Sequence, residues 1–160
     1  MRALALTLAL LPLPVLAQTP QIAPMADRVG WRVIDSAKPY AVLLADLKAV
    51  IPTQQMNVVT EAGPTDAART LGVTLPGNRV IGVFAPRYAV RVLPLSTAAM
   101  IEAPIRLYVT EDADGSATLA WKTPTHVFAP YLTEAGPELA AIAAELDATF
   151  EAIGQAAIAD

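Results

Sequence analysis

In a chain of 160 residues without cysteine, His126 is the single histidine, and so the side chain whose ordinary pKa lies nearest neutral and the leading candidate ligand for a transition metal or haem iron. It stands in Thr123-Pro124-Thr125-His126-Val127-Phe128, directly after an expected strand and near Trp121, Phe128 and Tyr131. That setting suits an axial ligand in a hydrophobic pocket, with Met100 or a symmetry-related His126 opposite. It equally suits a histidine at a helix start that packs or hydrogen-bonds. As a general base for a hydrolase or isomerase, His126 would need a concave pocket and a carboxylate or hydroxyl within reach.

Arg87, Arg91 and Arg106 form the densest basic group. Three guanidinium groups could clamp an anion such as a carboxylate or propionate, or could simply solvate a rim. The candidate ligand pocket is therefore Tyr88, Met100, Trp121, His126 and Phe128, with Arg87 and Arg91 supplying charge. No catalytic residue is assigned. Asp112-Ala113-Asp114-Gly115 matches only the middle of a calcium loop, because Thr110 and Trp121 occupy the two end positions that need acids. Ser36, Ser96 and Ser116 lie outside any G-x-S-x-G elbow, and Gly72, Gly77 and Gly82 are too isolated for a phosphate loop or dinucleotide fingerprint.

Composition narrows the remaining classes. Hydrophobic residues make up 54% of the chain and charged ones 16%, the balance of one packed domain. Zero cysteines exclude disulfides, thiolate zinc sites and covalent haem attachment. Eleven basic against fifteen acidic side chains give a net charge of −4, the wrong sign for a general nucleic-acid binder.

The first segment reads as an address. Arg2 is followed by an apolar run and then Val15-Leu16-Ala17, the pattern of a secretory signal cleaved after Ala17. Pro12 and Pro14 interrupt a run already shorter than the roughly 20 residues of a membrane span, so no stable span is expected after cleavage. Gln18 stands where a lipoprotein would need cysteine. A periplasmic or secreted protein is expected, with residues 18–29 as an extended lead-in and one domain over 30–155.

The elements that must position these side chains follow from periodicity. Gly30–Asp35 alternates as a strand. Tyr40, Leu43, Leu44, Leu47 and Ile51 mark one face of a helix entered at Pro39 and stopped by Pro52. Met56–Glu61 reads as a second strand, and Gly63-Pro64-Thr65-Asp66 opens a short helix through Leu71 that Gly72 closes. Val80–Ala85 is an unbroken apolar run, the pattern of a strand buried on both faces. Tyr88–Met100 is ambiguous because Pro94 interrupts it. Ile105–Thr110 and Ala117–Lys122 form a hairpin around Gly115. A final helix from Pro137 to Ile153 carries the stripe Leu139, Ile142, Ala143, Leu146, Phe150 and Ile153, with Glu138, Glu145 and Glu151 solvated.

This series, above all Ala103-Pro104-Ile105-Arg106-Leu107-Tyr108-Val109-Thr110-Glu111-Asp112 with Gly115 and then Trp121-Lys122-Thr123-Pro124, resembles the family called domain of unknown function 302 over residues 30–152. The resemblance implies a small domain with a mixed sheet, helices on one side and frequent dimers, and it implies no established reaction. Family members commonly carry Gly-Asn-Pro after the buried strand, where this chain reads Ala85-Pro86-Arg87.

The expectation is thus an α+β, two-layer domain with a mixed sheet of about five strands and helices mainly on one face. Functionally it is an exported domain binding a small ligand or protein partner. The alternatives are a haem or metal protein using His126, a hydrolase or isomerase with His126 as base, and a homodimeric module.

Overall fold

The computed structural model describes residues 22–159. The expected signal segment and the first residues of the lead-in lie outside the described residues. Ile22 to Arg28 carry no regular element, and a turn at Val29-Gly30 leads into the domain.

Five strands make one sheet: β1 (Trp31–Pro39), β2 (Asn57–Ala62), β3 (Asn78–Phe84), β4 (Ile105–Glu111) and β5 (Ser116–Lys122), in the order β1-β5-β4-β3-β2. Every neighbouring pair is antiparallel, so the sheet is not mixed as the sequence led us to expect. The connection between β1 and β2 explains the difference. Helix α1 (Tyr40–Val50) carries the chain across the sheet, so β1 and β2 run in the same direction, as in a βαβ unit. They lie at opposite edges with three strands between them, and no parallel ladder forms.

One face of the sheet is covered. Helices α1 and α5 (Leu132–Ile158) pack on it and on each other. Leu43 and Leu47 from the first, Ile51 in the 3₁₀ turn that continues it, and Leu139, Ile142, Phe150 and Ile153 from the second, are fully buried, as their helical spacing predicted. The sheet answers with Ile81 and Val83 on β3, Leu107 and Val109 on β4, and Leu119 and Trp121 on β5. In α5 the backbone breaks at Gly136 (φ 69°, ψ −162°), so the regular stretch starts at Pro137.

The ambiguous stretch resolves into α3 (Pro86–Val92) and a 3₁₀ turn at Ala98–Glu102, on either side of Pro94. A short α2 (Thr65–Thr70) ends as expected, with Gly72 at φ 73°. The helix stops at Thr70, one residue short of the expected Leu71, which is 78% exposed. Helix α4 (Pro124–Phe128) follows β5, and the Thr123 hydroxyl caps it by accepting the His126 backbone N–H at 3.3 Å.

The opposite face of the sheet alternates out of register with the core, and pairing arranges its side chains in three rows. Lys122 pairs with Trp31, and extending the β4–β5 register by one residue from Leu107–Trp121 sets Arg106 beside Lys122; Gly82 pairs with Arg106. The next row runs Val33, Ala120, Tyr108, Val80 and Ala62. The third runs Asp35, Thr118, Thr110 and Asn78. Val80 is accordingly half-buried rather than enclosed, and the expectation that β3 is buried on both faces holds only for its middle. Gly82 is required there: a Cβ would stand 2.1 Å from Thr60 Oγ1 and 2.9 Å from the Pro104 ring.

Candidate functional site

A groove of about 410 Å³ opens on this second face, inside the roughly 300–1,000 Å³ range of small-molecule sites. Its floor is Val80 and Tyr108, with Asn78 at one end. The other end is walled where β4 and β5 leave the sheet, by Glu102, Ile105, Trp121 and Val127. Trp31, Lys122 and Arg106, the first row of the open face, complete the lining.

Charge is distributed unevenly around it. Six basic side chains are engaged by carboxylates elsewhere: Arg32 by Glu151, Lys38 by Asp46, Lys48 by Glu61, Arg69 and Arg79 by Asp66, and Arg91 by Glu145. Arg87 donates to the carbonyls of Gln54 and Gln55. Among the described residues the other three, Arg28, Arg106 and Lys122, have no such partner, and all three stand at the groove or beside it. Arg28 and Lys122 approach the Trp31 ring at 5.3 and 5.7 Å from its centroid, within cation–π range. The acid in the lining, Glu102, accepts the Tyr131 hydroxyl at 2.8 Å, and this bond holds the Tyr131 phenol above its ordinary pKa. At the far end the Asn78 amide donates to the Tyr108 hydroxyl.

The residues singled out from the sequence fall in several places. Tyr88, Met100 and Phe128 do converge, with Met56, Val92 and Leu146, around a second cavity on the core side. It measures about 40 Å³, room for about one water and far below the volume of a haem. Trp121 is 2% exposed and packs against Phe150, with ring centroids 6.5 Å apart. Its indole is chiefly a core side chain and only edges the groove.

His126 lines neither cavity. It is exposed on α4 with its ring against Gly30, and among the described residues the ring has no hydrogen-bond partner. The requirement for a general base, a pocket with a carboxylate or hydroxyl within reach, finds no support in that placement. Met100 lines the core-side cavity, which His126 does not. Among the described residues no three of His, Asp and Glu gather as metal ligands.

The three arginines are also separated. Arg91 is held by Glu145 at 2.6 and 2.9 Å on the helical side, which raises the Arg91 pKa and lowers that of Glu145. Arg87 stacks on Tyr88 at 4.7 Å. Arg106 alone reaches the open face. Asp112-Ala113-Asp114-Gly115 is a hairpin turn with Gly115 at φ 87°; Asp114 accepts from the Ser116 backbone at 3.0 Å and from its hydroxyl, which holds the Asp114 carboxyl below its ordinary range.

Sequence reasoning missed Trp31, Lys122, Tyr108 and Asn78. Alternation along each strand gave their shared facing, but only strand order brings β1, β5, β4 and β3 side by side in that sequence.

No curated protein matches this sequence. Among solved structures, an uncharacterized conserved protein DUF302 from Bacillus stearothermophilus has the same fold, with a TM-score of 0.71 at 18% identity, covering 81% of this chain and 98% of that one. The family model described as "Domain of unknown function DUF302" matches residues 33–157, from within β1 to nearly the end of α5, and the chain belongs to that family.

Proposed function

We propose that this protein is an exported binding domain that takes a small ligand in the groove on the uncovered face of its sheet. The observation that carries the reading is the groove itself: about 410 Å³, with an apolar and aromatic floor, Arg106 and Lys122 in its lining and Arg28 beside it against Trp31. Concave, mostly apolar sites with a few convergent polar groups are where proteins bind small molecules. The secretory pattern of residues 1–17 supports export to the periplasm or beyond the cell. Among the described residues no helix is long and apolar enough to cross a membrane.

The test is to express the full chain and compare native with denaturing mass spectra of the purified protein. The expected result is a polypeptide beginning at Gln18 with a non-covalent mass that denaturation removes. Val80→Trp, which fills the groove from its floor, is expected to lose that mass while keeping the wild-type circular dichroism spectrum. A bound mass retained in Val80→Trp would move the site elsewhere, and a polypeptide still beginning at Met1 would overturn export.

A further inference from the structure

Building on that reading, we infer that the ligand is a planar, apolar-bodied carboxylate whose anionic end is held by Arg106 and Lys122. Three observations carry this. First, the chain is acidic overall, with fifteen acidic against eleven basic side chains, so unpartnered cations should be scarce. Six of them do find carboxylates elsewhere, yet Arg106 and Lys122 stand side by side on adjacent strands without one among the described residues. Two adjacent like charges on neighbouring strands repel each other, which an anion between them would relieve.

Second, the single acid in the lining is already engaged. Glu102 accepts from Tyr131 at 2.8 Å rather than from either cation, and one carboxylate against two cations leaves the lining with an excess of positive charge.

Third, the body of the groove behind the cations is apolar and aromatic. Val80 and Tyr108 pair across β3 and β4 as its floor, and the Trp31 ring lines it beside Lys122. Aromatic side chains stack best on planar groups, so this lining suits a ring rather than a branched or globular group. Beyond it the Asn78–Tyr108 pair offers a polar stop that a hydroxyl or carbonyl at the far end of the ligand could meet.

The experiment uses indole-3-carboxylate as the probe, with indole-3-carboxamide as its neutral isostere and cyclohexanecarboxylate as its non-planar counterpart. Binding to the purified mature chain is measured by calorimetry. Indole-3-carboxylate is expected to bind about tenfold or more tightly than the amide, the scale of a charge-assisted hydrogen bond. Arg106→Gln and Lys122→Gln should each weaken the acid more than the amide, so that the ratio between the two falls toward one. Equal binding of acid and amide, both lost in Val80→Trp, would overturn the carboxylate assignment and leave the groove as the site. Equal binding of the indole and cyclohexane acids would overturn planarity. No binding of any probe by a folded chain would overturn the inference, and the mass spectra above would then report on the groove independently.

Discussion

The Trp121 indole lies directly on Gly154 of α5: a Cβ on that glycine would stand 2.6 Å from Cη2 and 2.9 Å from Cζ3. A glycine inside a helix costs roughly 0.5–1 kcal/mol relative to alanine. Here it lets the helix approach the sheet closely enough for Trp121, Phe150 and Ile34 to close the core around it. Gly154→Val should therefore lose stability, by about 1–3 kcal/mol for overpacking a filled core. Urea unfolding checks it, and adding Trp121→Phe should recover part of the loss, a coupling that independent sites would not show. An unchanged midpoint in Gly154→Val would mean the helix can move off the sheet freely.

Much of the covered layer was readable in advance, and the reason is local. Leu43, Leu47 and Ile51, and the stripe from Leu139 to Ile153, repeat at helical spacing, and each residue's burial follows from its own neighbours in the chain. The hairpin at Gly115 was readable because a turn residue and two alternating runs lie within twenty residues. The groove was not readable. Trp31 and Arg106 stand 75 residues apart in the sequence. They are near one another only because the α1 crossover sends β2 to the far edge and leaves β1 free to pair with β5. His126 stood out for its uniqueness as a residue type, which carries no information about where α4 points it.

His126 and Gly30 form a second tight contact with a different cause. Gly30 has φ 76°, and a Cβ there would lie 2.2 Å from His126 Cγ. Its carbonyl accepts the Thr123 backbone N–H at 2.9 Å, tying the start of β1 to the entry of α4. Gly30→Ala should cost about 1–2 kcal/mol from the left-handed backbone alone, with the ring clash added. His126→Ala should stay within about 0.5 kcal/mol, as an exposed position does. In the double variant the clash disappears and the backbone cost remains, so thermal melts of the three proteins separate the two contributions.

Two surface pairs hold glutamates below their ordinary range. The Arg32 guanidinium donates to Glu151 at 3.1 and 3.3 Å and holds its carboxyl below the ordinary range, against the opposing effect of partial burial; Gln155 adds a further bond at 2.8 Å. Arg91 does the same to Glu145. A depressed folded-state pKa contributes stability that is present above the unfolded value, about 4.3 for glutamate, and is lost as pH falls through the folded value. Arg32→Gln with Arg91→Gln should therefore flatten the fall of melting temperature in that acidic window. Because both pairs are substantially exposed, the effect should shrink in high salt. A melting profile parallel to wild type from neutral pH to acid would show that other carboxylates set the acid limit.

Thr118 joins the hairpin to the edge strand through one proton. It is 2% exposed, and its hydroxyl lies 2.8 Å from Asp112 Oδ2 and 3.2 Å from Asp35 Oδ1. One hydroxyl hydrogen cannot serve both carboxylates at once, so the shorter contact to Asp112 takes the larger share. Thr118→Val preserves shape and removes that donor, leaving two carboxylates around a methyl group. The expected loss is about 1.5–3 kcal/mol, the range for a hydrogen bond to a charged partner. Thr118→Ser keeps the hydroxyl and should lose less. Replacing Asp112 by Asn in the valine variant removes the unmet charge and should restore part of the stability. If valine and serine variants unfold at the same urea concentration, the loss comes from packing around Ala120 and Asp35 rather than from the hydroxyl.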